Sequence, residues 1–177
     1  MARIAVFERE ALVGLDIKKT LQQAGYEVYG PFLDLPAESA GGDLDLDHYE
    51  LAIIDFELVT DIPVSLGVPV VLLAALSDDV TLASARNVNS FGLLVKPFSA
   101  QELRSTVDIA LYRSSMENKL AESERHYREL FDFSMTARCI MNFDGQIEVT
   151  NKAFRSLFGL EEGANLKSAI RDVQIRD

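Results

Sequence analysis

Three short segments of this chain end in residues able to do phosphoryl or hard-cation chemistry. Glu8-Arg9-Glu10 closes one apolar run, Asp55 closes a second, and Lys96-Pro97-Phe98 closes a third. Carboxylates from two strand ends facing one lysine form an oxygen-rich site in which Mg²⁺ can sit and an ammonium can stabilise a phosphoryl oxygen. An aspartate in such a place can attack phosphorus and form an acyl phosphate. A further apolar run ends in Ala74-Ala75-Leu76-Ser77, which adds no charge.

These segments can meet only if the runs before them are neighbouring strands. Ile4–Phe7, Leu51–Ile54, Val68–Leu73 and Leu93–Val95 are almost continuously apolar, the pattern of strands buried on both faces. Glu27-Val28-Tyr29 reads as one more strand. Between the first two strands, Leu12, Leu15, Ile17, Leu21 and Ala24 are spaced for one face of a helix, with Gly25 as its stop. Further amphipathic stretches run from about Val80 to Val88 and onward from Ala100. Strands alternating with helices predict an α/β fold with a doubly wound parallel sheet. The strand ends are then the ligand side of the sheet. Two stretches break the alternation: the acidic 34–50, with Gly41-Gly42, and 57–69. In the latter, Pro63 and Gly67 leave room for a short third helix or none.

The strings Ile4-Ala5-Val6-Phe7-Glu8-Arg9-Glu10, Leu51-Ala52-Ile53-Ile54-Asp55 and Gly92-Leu93-Leu94-Val95-Lys96-Pro97-Phe98 resemble the signature segments of two-component response-regulator receiver domains. Order and approximate spacing fit over about residues 2–118. The resemblance implies a flavodoxin-like, five-stranded parallel sheet. It implies Asp55 as phospho-acceptor, Lys96 as the phosphoryl-contacting lysine, and a cis peptide before Pro97. It further implies a Mg²⁺ site made by Glu8, Asp55 and the backbone carbonyl of Glu57, and a sensor histidine kinase or phosphotransfer protein as partner.

Three positions depart from that pattern. Arg9 stands where the family has the second acid of its metal pair, which weakens Mg²⁺ binding if the guanidinium points inward. Ala74 stands at the hydroxyl-bearing switch position and Leu93 at the aromatic one. Arg9 has two other options: to swing into solvent, or to pair with Asp55 and mimic the cation. Two functional readings follow. Asp55 is phosphorylated and relays a signal, or the domain is a degenerate receiver that docks or dimerises without phosphorylation.

After Ser99 the helical pattern runs far past the sheet, with a thin apolar seam at Met116, Leu120, Tyr127, Leu130 and Phe131. That seam suits a dimeric coiled coil, a bridge between domains or a solvated linker. Ala137–Phe143, the turn signal Asp144-Gly145 and Gln146–Thr150 predict a hairpin, followed by a helix around Phe154, Leu157 and Phe158 that stops at Gly159. Ser123–Phe131, the hairpin and Asn151-Lys152-Ala153-Phe154 resemble the front part of a PAS domain. The expected organisation is a receiver over 1–118, a helical linker over 119–131 and an incomplete α+β PAS-like segment over 132–177. The resemblance further suggests a longer signalling protein, such as a hybrid histidine kinase or a cyclic-dinucleotide enzyme. No enzymatic activity is expected of these residues themselves.

Composition bounds the alternatives. The 177 residues carry a net charge of −11. The first hundred hold 6 Lys and Arg against 15 Asp and Glu, a balance that repels nucleic-acid phosphates. No run is long enough to cross a membrane. The single Cys139 excludes an internal disulfide and fits a cytoplasmic protein; it reads as a buried, inert thiol. A flavin-binding or hydrolase role on the same sheet would want a Gly- or Ser/Thr-rich phosphate loop where Glu8-Arg9-Glu10 stands. His126 lacks the flanking residues of a kinase phospho-acceptor, and His48 reads as solvated.

Overall fold

The computed structural model describes residues 1–35, 46, 48–58, 67–75 and 90–166. They form two compact units, residues 1–117 and 118–177. The first unit holds β1 (Arg3–Phe7), α1 (Ala11–Gln23), β2 (Glu27–Phe32), β3 (Leu51–Asp55), a 3₁₀ turn (Phe56–Leu58), β4 (Val70–Ala75) and β5 (Gly92–Lys96). The five strands are all parallel, in the order β2-β1-β3-β4-β5. This is the flavodoxin-like topology expected from the sequence. It reverses direction between β1 and β3, and the cleft beyond the carboxyl ends of those two strands is where such sheets bind ligands.

The continuous apolar runs are explained by two packed faces. Ile4, Val6, Leu51, Ile53, Val71 and Leu73 point to one face, against Ile17 and Leu21 of α1 and Leu103, Val107 and Ala110 of the last helix. Ala5, Phe7, Ala52, Ile54, Val70 and Leu72 point to the other, with Leu46 beside them. Each fully buried Ile or Leu contributes about 1.5–3 kcal/mol relative to exposure. The predicted helix at Val80–Val88 and most of the acidic stretch lie outside the described residues.

Helix α1 buries only part of the predicted face, rotated towards Gly14. Gly14, Ile17 and Leu21 are buried, whereas Leu12 and Leu15 are exposed at 83% and 53%, and Ala24 is exposed as well. The reason is close approach at Gly14: a Cβ there would lie 2.5 Å from Pro31 Cβ, so the glycine face must turn inward. Gly25, at φ +92°, ends the helix as predicted, and Tyr26 N–H closes back on the Leu21 carbonyl at 3.1 Å.

Helix α2 (Ala100–Phe133) is one element of 34 residues that passes from the first unit into the second, about 51 Å of helix. It starts with a reciprocal cap: Ser99 Oγ accepts from Glu102 N–H at 3.2 Å, and Glu102 Oε2 accepts from Ser99 N–H at 2.7 Å. In the second unit, β6 (Cys139–Met141) pairs antiparallel with β7 (Ile147–Thr150), and α3 (Lys152–Phe158) ends at Gly159, φ +65°. The hairpin turn forms at Asp144-Gly145, where the Asn142 side chain accepts from Asp144 and Gln146 N–H at 3.1 and 2.9 Å. Among the described residues no helix is long and apolar enough to cross a membrane.

Candidate functional site

The topology brings the predicted acids and lysine to one point. Glu8 directly follows β1, Asp55 is the last residue of β3, and Lys96 is the last residue of β5. Lys96 Nζ lies 2.7 Å from Glu8 Oε2 and 2.9 Å from Asp55 Oδ2, with Glu10 Oε1 further out at 4.0 Å. Glu8 is fully buried and Asp55 is 6% exposed. Backbone amides complete the cradle: Glu57 N–H donates to Asp55 Oδ1 at 3.0 Å, and Glu10 N–H donates to Glu8 Oε1 at 2.9 Å. The peptide between Lys96 and Pro97 is cis, as is that between Gly30 and Pro31.

The two carboxyl groups differ in acidity for visible reasons. Burial pushes Glu8 above the ordinary glutamate range, and the neighbouring Asp55 pushes the same way, against the pull of Lys96 and the Glu10 amide. Burial also acts on Asp55, but Lys96, the Glu57 amide and Glu8 together outweigh it and hold Asp55 below its ordinary range. Lys96 is desolvated, yet its two carboxylate partners keep it protonated more firmly than a free lysine. The arrangement keeps Asp55 ionised, which a nucleophilic carboxylate requires, and leaves Glu8 as the more basic partner.

Arg9 lies largely in solvent, one of the options considered from sequence, and finds there a partner that was not foreseen. Its Nη1 pairs with Glu57 Oε2 at 3.2 Å on the exposed rim, the two side chains being 57% and 66% exposed. Glu57 was expected to matter through its carbonyl alone; its side chain and its amide both take part. The spacing of 48 residues between the two partners carries no local signal that could have announced this pair. Ala74 is buried and presents no hydroxyl, and Leu93 is half-buried against the apolar cluster that holds Ile54 and Leu72.

For Mg²⁺ the donor chemistry is suitable but sparse. Glu8 Oε2 is buried and has only the Lys96 ammonium, 2.7 Å away, as its partner among the described residues. Glu8, Asp55 and the Glu57 carbonyl are the hard oxygens such an ion takes. No cluster of three or more acidic, His or Cys side chains exists among the described residues to hold it by protein alone. The set fits an ion completed by water and by a phosphoryl group.

Other singled-out residues lie elsewhere. His126 and His48 are exposed, and Cys139 is half-buried on β6 rather than buried. The second unit has a groove of about 540 Å³ lined by Arg125, Arg128, Glu129, Asp132, Phe133 and Lys152, with mixed charge and no part in the acid–lysine cluster. Sequence reasoning missed Asn151. This buried residue donates to the carbonyls of Phe131, Ser134 and Thr136 and accepts from Arg138 and Phe154 N–H. It ties the end of α2 to the hairpin and to α3.

No family model matches the chain. Among characterised proteins it is similar to the transcriptional regulatory protein PdtaR of Mycobacterium tuberculosis (strain ATCC 25618 / H37Rv), 29% identical over 136 residues covering 70% of this chain and 65% of that protein. It is also similar to the transcriptional regulatory protein CrdR of Helicobacter pylori (strain ATCC 700392 / 26695), 26% identical over 115 residues covering 59% and 53%. The chain thus spans less than two thirds of the length of these relatives. Among solved structures, the signal receiver domain of a modulated diguanylate cyclase from Desulfovibrio desulfuricans G20 matches with a TM-score of 0.53 at 23% identity, over 66% of this chain and 98% of that one. A CheY-like receiver domain from Methanospirillum hungatei JF-1 matches with 0.54 at 16% identity, over 66% and 98%. NtrX from Brucella abortus matches with 0.56 at 21% identity, over 76% of this chain and 32% of that one. The first unit thus has the fold of signal receiver domains and is similar in sequence to bacterial regulatory proteins.

Proposed function

We propose that Asp55 accepts a phosphoryl group from a sensor histidine kinase or a phosphotransfer protein, and that the change is passed along α2 to the second unit. The observation that carries this reading is the position of Asp55 at the sheet's switch point, 2.9 Å from Lys96 Nζ and kept ionised by it. In the transfer an Asp55 oxygen bonds to phosphorus while the donor's P–N bond breaks, its electron pair leaving on the imidazole. Lys96 balances charge on the acceptor carboxylate and on the arriving phosphoryl oxygens. The Glu57 amide fixes Oδ1, so Oδ2 faces the lysine and the donor. Glu8, Asp55 and the Glu57 carbonyl would hold Mg²⁺, which when bound neutralises phosphoryl charge.

Lys96 sits three residues before the Ser99–Glu102 cap of α2, so a changed lysine contact reaches the start of that helix directly. The exposed Leu120, Tyr127 and Leu130 support pairing of α2 with a second copy of the chain. The PAS-like reading of the second unit rests on its helix, hairpin and helix order. The acidic first unit supports a protein partner in place of a nucleic acid. Incubation with phosphoramidate or acetyl phosphate should give a hydroxylamine-labile adduct that Asp55→Asn abolishes. If no donor labels the protein, the docking or dimerisation reading replaces this one.

A further inference from the structure

We propose that Arg9 is a phosphoryl-binding residue that allows Asp55 to be phosphorylated without a divalent cation. This rests on the reading of Asp55 as acceptor and names a cationic partner that reading leaves unassigned.

The site has two cationic side chains in different states of commitment. Lys96 is 17% exposed and bridges two carboxylates, at 2.7 Å from Glu8 and 2.9 Å from Asp55. Among the described residues Arg9 pairs with Glu57 Oε2 at 3.2 Å, with both side chains more than half exposed. An ion pair in that setting is weakly held and easily exchanged. Its location is nonetheless specific. Glu57 holds Arg9 with its carboxylate and Asp55 with its amide, at 3.0 Å. Arg9 also adjoins Glu8, whose carboxylate is fixed by the Glu10 amide at 2.9 Å. The guanidinium is therefore parked on the residue whose amide grips the acceptor, on the loop that carries the buried acid.

Charge accounting gives it a task there. When Asp55 becomes an acyl phosphate, a singly charged carboxylate is replaced by a dianionic phosphoryl ester, so the site becomes one unit more negative. Lys96 is already shared between two acids. A guanidinium is always charged, and its planar fork matches phosphoryl oxygens in a bidentate way that a carboxylate rim partner cannot better. Arg9 exchanges Glu57 for the phosphoryl group and supplies the charge. The step needs no co-reactant: the Asp55 oxygen bonds to phosphorus, and with acetyl phosphate the P–O bond breaks and acetate leaves with the electron pair. The same positive charge lowers the affinity of Glu8 and Asp55 for Mg²⁺.

The test uses the full chain and acetyl phosphate, in EDTA and in Mg²⁺, read as the mass gain of one phosphoryl group and its release by hydroxylamine. The natural protein should be labelled in EDTA. Arg9→Ala should lose about 10–100-fold of the EDTA rate, the weight of a charge-assisted hydrogen bond, while keeping its rate in Mg²⁺. Arg9→Asp should be labelled only in Mg²⁺, and Arg9→Lys, which keeps the charge without the planar fork, should recover part of the EDTA rate. Unchanged thermal melts in all three separate this role from a structural one. Labelling of the natural protein in Mg²⁺ alone, or an Arg9→Ala rate in EDTA equal to the natural one, overturns the assignment of Arg9 and leaves Asp55 as acceptor. Absence of any adduct, on any variant in either condition, overturns the Asp55 reading and the Arg9 role with it.

Discussion

Replacing Lys96 by Met should destabilise the first unit in a strongly pH-dependent way. The lysine is 2.7 and 2.9 Å from two carboxylates, one fully buried and one nearly so. At an effective dielectric near 20, each contact is worth about 6 kcal/mol of gross attraction. Desolvation of the ions offsets several kcal/mol apiece, so the net cost of removing the shared cation is about 3–5 kcal/mol at neutral pH. Met keeps most of the stem's packing, which confines the effect to charge. Two adjacent buried carboxylates without a cation cannot both stay ionised, so the variant must take up a proton there.

That proton fixes the sign. In the variant the folded-state pKa of the pair rises well above the unfolded value of about 4. The pair's contribution is then intact below that unfolded value and is lost as pH rises through the raised folded value. The deficit relative to the natural protein should be small near pH 4 and grow towards pH 8. Urea melts by circular dichroism would measure it, with hydrogen exchange at β3 and β4 amides assigning the transition to the first unit. With an m-value of about 2 kcal/mol/M, the midpoint should fall by about 1.5–2.5 M at neutral pH. A loss independent of pH would show that Lys96 acts by packing, and no loss at all would show that the two carboxylates do not need it.

Other consequences can be checked separately. Gly14→Ala, a substitution that favours most helices, should cost about 1–3 kcal/mol in a thermal or urea melt because its Cβ meets Pro31 at 2.5 Å. Asn151→Ala should cost the second unit about 2–4 kcal/mol, since it removes the N-cap of α3 and leaves three carbonyls without their donor. Faster hydrogen exchange at the Arg138 and Phe154 amides would report that loss. Leu120→Glu with Leu130→Glu should convert a dimer to a monomer in light scattering, whereas the same pair on α1, Leu12→Glu with Leu15→Glu, should leave the oligomeric state unchanged.

Much of the first unit was legible because each strand is buried on both faces, and that writes an apolar run directly into the sequence. Ile4–Phe7 and Leu51–Ile54 could be placed that way, and the charged residue ending each run then marked the site. What could not be read depended on contacts distant along the chain. The orientation of α1 is set by Pro31 pressing on Gly14, so Leu12 and Leu15 matched the helical period and still face solvent. Arg9 was recognisable as out of place, but its partner Glu57 comes from another strand end. The role of Asn151 was not legible either, because its five hydrogen bonds are made mostly with backbone groups 13 to 20 residues earlier.

The departures at Arg9, Ala74 and Leu93 fall on different parts of the task, and this bears on how a phosphorylated form would signal. On the proposed reading, Glu8, Asp55 and Lys96 keep the acceptor chemistry together, and Arg9 changes the cation that accompanies it. Ala74 has no hydroxyl to follow a phosphoryl group, and Leu93 packs against the cluster that holds Ile54 and Leu72, with no polar tip to swing. On the proposed reading, the response to Asp55 chemistry has to leave through groups that touch the carboxylate itself. Among the described residues those are the Glu57 amide, at the 3₁₀ turn, Lys96, at the end of β5, and the buried Glu8. The second leads by three residues to the α2 cap, where Ser99 and Glu102 hold each other. Breaking that cap with Ser99→Ala should therefore weaken any effect of phosphorylation on α2 without lowering the rate at which Asp55 is labelled. An equal loss of labelling would place the cap inside the acceptor site and not downstream of it.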